Sequence, residues 1–413
     1  MKESYAPGLP SIPGLAVTRL IPSAPALDQP NKSSQITAAP FQWRAEAEIP
    51  KREFVFGPHL IRKFVSGTAA PGGVGKSFLA QAEALSMVSG VPFLKTESTC
   101  ERLNVWYWNL EDPADEIERR FAAAYQFHKL KRDDFTGKLY VNSGRDTPLV
   151  IAKKDKDAVM IMEPIVDDLI REIKSKNIDV VVIDPFISSH AVPENDNMAI
   201  DRVVKLWGKV ADAGDCAVEL IHHTRKMNGE AMSEESFRGA KSLVDGLRSA
   251  RVLHPMSEQD ASNLGLSDER RRFFHVMPEK QSMAPPAEKR SWFKLNSVEL
   301  ANGDNVAAVS SWHPPDPFEG LSTAHLEQVQ RLFRKGSYRT SEQAAEWGGI
   351  AVAEVLELDV GAGLRAQERT PRQRADRGKV KSILRTWERN GAVGREIRKD
   401  EKRREEKEFY TVP

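Results

Sequence analysis

Residues 70–77 read Ala70-Pro71-Gly72-Gly73-Val74-Gly75-Lys76-Ser77, the A/G-x-x-x-x-G-K-S/T spacing of a phosphate loop. Glycines let the backbone curl so that successive N–H groups wrap a β-phosphate, and a helix beginning at Lys76 aims its positive end at the same charge. Lys76 is expected to reach the β- and γ-phosphates and Ser77 to ligate Mg2+. A Gly-rich turn alone would have no reason to follow an apolar run (64–69) and precede an amphipathic stretch (76–88). The segment therefore reads as a nucleotide site, with ATP and Mg2+ as its ligands.

Two carboxylate positions suit the same chemistry. Val180-Val181-Val182-Ile183-Asp184 is a buried-strand run ending in an acid, and Asp184 is expected to hold the Mg2+ water shell beside Ser77. The run 105–108 leads through Asn109 and Leu110 to Glu111-Asp112-Pro113. Asp112 is suited to cap the helix that Pro113 starts, which leaves Glu111 as the base that polarises an attacking water. Ile221-His222-His223-Thr224-Arg225-Lys226 ends a further apolar run, where a histidine can sense a terminal phosphate or merely cap the strand. No third or fourth ligand stands at zinc spacing from that pair. The polar stretch 226–236 reads equally as a DNA-contacting loop or an ordinary surface loop.

These residues need a scaffold that brings the ends of several strands together. Apolar runs at 64–69, 103–108, 139–141, 180–183 and 216–221 alternate with helical stretches at 76–88, 113–127, 162–176 and 198–213. That alternation indicates an α/β fold with a mainly parallel sheet covered by helices. Closely spaced runs at 248–254, 272–277 and 291–295 are expected to add antiparallel strands at one edge.

The composition is compatible with this. The 413 residues carry 60 Lys and Arg against 59 Asp and Glu, a net charge of +1, so a nucleic-acid partner must be met by a local patch. No apolar run approaches the ~18 residues of a membrane span. Residues 1–50 hold eight prolines and lack the basic-then-apolar order of a secretory signal, so a cytoplasmic protein is expected. Cys100 and Cys216 are too few for a disulfide framework or a Cys-rich zinc site. Residues 1–45, rich in Pro, Ser and Ala, are expected to be a disordered arm.

A proline-rich break at 313–317 suggests a linker, here taken as 313–325, between an ATPase-like region at 46–312 and a smaller unit at 326–413. In that unit, 365–407 holds sixteen basic and eight acidic residues. Val380, Ile383, Leu384 and Trp387 fall on one helical face within 377–391, with Lys381, Arg385 and Arg389 off it. Strand-like stretches at 393–397 and 408–412 flank a charged tip at 398–407. With a helical stretch at 340–358, this reads as a winged helix-turn-helix that would bind duplex DNA. A module that docks another protein is the competing reading.

Taken in order, the blocks resemble the RepA-like hexameric helicase ATPases, close to the DnaB and RecA folds. The matching blocks are Ala70–Ser77, Leu110-Glu111-Asp112-Pro113 with Arg120, Val182-Ile183-Asp184 with Glu194-Asn195, His222-His223-Thr224-Arg225-Lys226, 237–248, Arg271-Arg272-Phe273-Phe274, and Lys280 followed by Trp292-Phe293-Lys294. They span about residues 55–300. The resemblance implies a RecA-like core, a homo-hexameric ring with ATP at each interface, and single-stranded DNA threaded through it. It also implies Glu111 as catalytic base, Asp184 at Mg2+, and His222 or His223 as sensor. Arg248, Lys280 and Lys294 match the basic groups that reach across to a neighbour's phosphates. Those helicases have an aromatic near the position of Met283, and lack both the long arm and the C-terminal unit. An AAA family ATPase active in plasmid- or phage-type replication is the leading expectation. The alternative is a DNA-binding regulatory or mobile-element protein that uses ATP as a switch.

Overall fold

The computed structural model describes residues 38–95, 102–135, 137–155, 158–224, 241–285, 290–399 and 405–413. Most of the proline-rich arm, Cys100, the stretch 225–240 with its polar loop, and the tip at 400–404 lie outside the described residues. The chain forms two compact units, Met1–Lys51 and Arg52–Pro413. In the described part of the first, a single 3-10 turn, Glu46–Glu48, interrupts an extended backbone whose Phe41 and Trp43 rings meet edge-on at 4.9 Å.

The second unit runs β1 (Phe54–Phe56), β2 (Leu60–Ile61), β3 (Val65–Pro71), α1 (Lys76–Ser89), β4 (Val105–Asn109), α2 (Ala114–Phe127), β5 (Leu139–Ser143), β6 (Ala152–Asp155), β7 (Ala158–Ile161), α3 (Glu163–Lys176), β8 (Val180–Asp184), α4 (Asn197–Gly214) and β9 (Ala217–Thr224). It continues with α5 (Lys241–Gly246), β10 (Ser249–Pro255), α6 (Glu258–Leu264), β11 (Phe273–Gln281), β12 (Ser291–Glu299) and β13 (Asn305–Trp312). Last come α7 (Thr323–Lys335), α8 (Gly348–Val355), α9 (Pro371–Arg389), β14 (Gly394–Lys399) and β15 (Glu406–Thr411).

Nine strands form one sheet in the order β13-β12-β11-β10-β3-β9-β8-β4-β5. The run from β10 to β5 is parallel throughout. Here one expectation is corrected. The run starting at residue 248 was to be antiparallel, yet β10 pairs parallel with β3, and the antiparallel extension begins only at β11. Crossing from β9 to β10 by way of α5 leaves the chain on the side from which the parallel strands start, so β10 must point the same way as β3.

Strands β4, β8 and β9 are buried on both faces, which is why β8 reads as a continuous apolar run. On one face, Trp106, Val181, Val218 and Leu220 meet Val203, Trp207 and Val210 of α4 and Leu169 and Ile173 of α3. On the other, Val105, Tyr107, Val182 and Ile221 meet Ala80, Ala84 and Val88 of α1. Helix α1 is buried nearly all round, so it carries alanines at 80, 82 and 84 where a charged face would otherwise stand.

In the C-terminal part, α7, α8 and α9 share a core of Phe333, Trp347, Val352, Val380, Ile383, Leu384 and Trp387, and β14 and β15 form an antiparallel pair. Two boundaries differ from expectation. Helix α9 begins at Pro371, because Thr370 caps it by accepting from the Gln373 amide at 3.2 Å and Gln373 returns the bond at 2.9 Å. The stretch 340–347 is not helical; it is a series of turns, and α8 starts only at Gly348. Helix α9 also packs on α6: a Cβ at Gly265 would meet the Pro371 carbonyl at 2.7 Å, and one at Gly378 would collide with the Asn263 backbone.

Candidate nucleotide site

The phosphate loop is built by its glycines. Gly73 and Gly75 take φ of 80° and 115°, the left-handed region that L side chains avoid, and Gly75 is the residue before the first turn of α1. A side chain at Gly75 would also press the Phe274 ring and Leu295 at 3.2–3.3 Å, so β11 and β12 floor the loop. A Cβ at Gly72 or Gly73 would meet nothing within 4 Å, so the space beside these two residues is open.

Lys76 folds back on this loop, donating to the carbonyls of Ala70 at 2.9 Å and Pro71 at 3.0 Å. Burial is the largest influence on its ammonium and pulls its pKa down to about 8, against the opposing pull of Asp184 and Glu111. That both carboxylates act on Lys76 places them beside the loop. The sheet order agrees: β3 and β8 flank β9, so Asp184 stands about 10 Å, two strand spacings, across the sheet from Thr68 of β3, three residues before that strand ends at Pro71.

Asp184 is buried and accepts from the Tyr107 hydroxyl at 2.6 Å, while the Leu110 amide donates to the Asp184 carbonyl at 2.7 Å. The end of β4 is thereby tied to the end of β8, opposite which Asn109 stands in register.

The turn that carries Glu111 is held from several sides. Asn109 Oδ1 accepts from the amides of Glu111 at 3.0 Å and Asp112 at 2.7 Å. Arg145 Nε donates to the Glu111 carbonyl at 2.8 Å, and the Ser143 hydroxyl to the Asp112 carbonyl at 2.8 Å. Asp112 does not cap the following helix: Pro113 occupies the cap position with no side-chain bond, and the Asp112 carboxylate binds Arg120 instead. Glu111 is exposed, and its carboxylate takes no hydrogen bond from the described residues.

The two histidines divide. His223 lies on the α1 face of β9, where Lys76, Glu111 and Asp184 all act on its ring, although burial is the largest influence and lowers its pKa. His222 points to the opposite face, near Phe186, and burial pulls it down to about 4. Both rings are neutral near pH 7. His222 Nδ1 and the hydroxyl of Thr224, which pairs in register with Pro71, are buried without a hydrogen-bond partner among the described residues.

The basic candidates also separate. Arg248 donates its amide to Val65 at the start of β3, the sheet edge opposite the phosphate loop. Lys280 lies with it, donating to the carbonyls of Val244 and Asp245, and Arg248 helps burial lower its pKa. Lys294 is elsewhere, facing Glu269 at 3.6 Å and the Phe273 ring.

The orphaned Thr224 hydroxyl in register with Pro71, the open space beside Gly72 and Gly73 and the unengaged Glu111 carboxylate fit a nucleotide phosphate with a metal. The loop amides and Lys76 would hold the phosphates, and Ser77 and Asp184 would hold Mg2+, which supplies charge neutralisation. The core is that of a P-loop NTPase. Residues 30–229 match a family model described as an AAA domain, which supports an AAA-type P-loop ATPase. No helix among the described residues is long and apolar enough to cross a membrane.

Residue types alone did not mark Asn109, Tyr107, Ser143 or Arg145. Asn109 had a readable signal, since an Asn followed two and three residues on by free amides is the pattern of an Asx turn. The other three depend on strand register.

Proposed function

We propose that this chain is a Mg2+-dependent ATPase that assembles as a homo-hexameric ring and couples turnover to movement along, or unwinding of, DNA in plasmid- or phage-type replication. The observation that carries the reading is the gathering of Lys76, Asp184, Glu111 and His223 at the carboxyl ends of adjacent parallel strands, where open α/β sheets bind ligands. Lys76 neutralises charge on the β- and γ-phosphates, Glu111 takes the proton of the attacking water, and His223 rather than His222 meets the terminal phosphate. Arg248 and Lys280 serve the neighbouring subunit. On this reading residues 46–312 are the ATPase domain, 326–413 a winged-helix DNA-binding domain joined by 313–325, and the protein works in the cytoplasm.

A second reading, a DNA-binding regulator that uses ATP as a switch, is favoured by the close packing of α9 on α6, which joins the candidate DNA-reading helix to the ATPase sheet. Stimulation of ATP turnover by single-stranded DNA, with strand displacement that Lys76→Ala abolishes, supports the motor. Turnover indifferent to DNA, with ATP-dependent duplex binding and no displacement, supports the switch. Near-normal turnover in Lys76→Ala overturns both.

A further inference from the structure

Tyr107 carries a hydroxyl among apolar neighbours on its side of β4, where Asn109 at the strand's end is the other polar residue. Val105 on the same strand and Val182 and Ile221 on its neighbours are apolar and pack beneath α1, and a phenylalanine would fill the same volume. The hydroxyl is fully buried, and its hydrogen bond goes to Oδ2 of Asp184 at 2.6 Å. Such a bond to a carboxylate is among the stronger neutral-to-charged kinds. The other oxygen of Asp184 accepts no hydrogen bond from the described residues. One carboxylate oxygen is therefore fixed from below and the other is left at the sheet edge that carries Lys76.

We infer that Tyr107 is a positioning residue for the metal carboxylate, its hydroxyl holding Oδ2 of Asp184 so that Oδ1 is the oxygen offered to the hydrated Mg2+ of a bound nucleotide. The inference rests on the nucleotide-site reading above and adds a residue outside the phosphate loop, the acidic pair and the histidines. Tyr107 shares β4 with the turn of Glu111. The strand that carries the base thus also orients the carboxylate that meets the metal. Groups that orient a metal's carboxylates typically change metal affinity by about 10–100-fold when removed.

The test is the Mg2+ dependence of binding of a fluorescent ADP to the full chain, with Tyr107→Phe beside the wild type and Lys76→Ala. In Tyr107→Phe the Mg2+ midpoint is expected to rise by about 10-fold, the lower end of that range, because the carboxylate itself remains. Affinity measured in EDTA is expected to match wild type, since the loop is untouched. An unchanged midpoint, with or without a lower melting temperature, overturns the inference and makes Tyr107 a core residue only. If the wild type itself shows no Mg2+-dependent binding, or Lys76→Ala binds as wild type does, the nucleotide-site reading fails instead. Should Tyr107→Phe not fold, 3-fluorotyrosine placed at position 107 keeps the hydroxyl and the volume. Its fluorine resonance is expected to shift when Mg2+ is added to the nucleotide complex and not when nucleotide is added in EDTA. A resonance indifferent to Mg2+ overturns the inference.

Discussion

Arg120 donates from Nη1 to Oδ2 of Asp112 at 2.7 Å, and its Nε binds Glu116 at 2.9 Å. The pair separates two carboxylates that stand next to each other in the chain. Asp112 is committed to a cation on α2, while Glu111 keeps an unengaged, exposed side chain whose charge reaches Lys76 and His223. Glu111→Gln is expected to lower ATP turnover by about 10²–10⁴-fold, the worth of a positioned base, with nucleotide affinity nearly unchanged. Asp112→Asn is expected to cost at most about 1 kcal/mol of stability, because the ion pair is partly exposed, and to leave turnover within several-fold. Equal losses of turnover in the two variants would remove Glu111 from its role.

Lys76 gives the binding reaction a pH dependence of definite sign. Without ligand its pKa is near 8, well below the usual 10.5 of a lysine, because burial outweighs the pull of Asp184 and Glu111. A bound phosphate favours the ammonium and raises that pKa. Nucleotide affinity is then flat below pH 8 and falls above it, approaching tenfold per pH unit, with proton uptake on binding. Calorimetry at pH 8.5 in buffers of different ionisation enthalpy measures the uptake. Zero uptake there, or affinity that rises with pH, would contradict this account. For folding the sign is opposite to that of a stabilising cation: the unfolded chain holds the proton more tightly between pH 8 and 10.5, so the contribution of Lys76 to stability improves as pH rises through that window.

The parts of the site legible in the sequence were those whose chemistry is local. A loop that must turn through positive φ displays its glycines at 73 and 75, and a strand buried on both faces displays an unbroken apolar run ending at Asp184. What stayed hidden depends on contacts between distant residues. Whether β10 runs parallel or antiparallel is absent from its own alternation, and it is decided by where α5 delivers the chain. The hairpin of β6 and β7 is too short and exposed to show a period, and β13, Asn-Val-Ala-Ala-Val-Ser-Ser-Trp, is too small and polar. The start of α9 was masked by its polar first turns, although Thr370, Pro371 and Gln373 spell a capping box. The bond from Tyr107 to Asp184 crosses 77 positions and needs the register of two strands.

Two Gly→Ala substitutions, one at the seam between α6 and α9 and one inside α4, are expected to change stability with opposite signs. At Gly378 the added methyl meets the backbone of Asn263, which cannot rotate away, so a loss of about 1–3 kcal/mol is expected. At Gly208, inside α4, the methyl meets nothing within 4 Å and the helix gains about 0.5–1 kcal/mol. Urea unfolding of the full chain measures both. A neutral Gly378→Ala would mean that α9 does not rest on α6 in solution.

The position of Arg248 makes the strongest demand on assembly. Its amide bonds to Val65, whereas the phosphate loop follows Pro71, six residues further along β3 and about 20 Å away, beyond the reach of an arginine side chain. If Arg248 neutralises a γ-phosphate, the phosphate belongs to another subunit, in a heterologous contact whose repetition closes a ring. Arg248→Ala is then expected to lose turnover by 10²-fold or more, within reach of the roughly 10³–10⁵-fold worth of such a group, while still binding nucleotide. Lys76→Ala is inactive for a different reason, since it lacks the site but retains the arginine. Mixed in equal amounts and allowed to exchange, the two variants form interfaces that join an intact Lys76 to an intact Arg248 at about one quarter of positions, by random heterologous pairing. Turnover of the mixture is expected to exceed that of either variant alone. No recovery, with exchange verified by native mass spectrometry, would remove Arg248 from the neighbour's site.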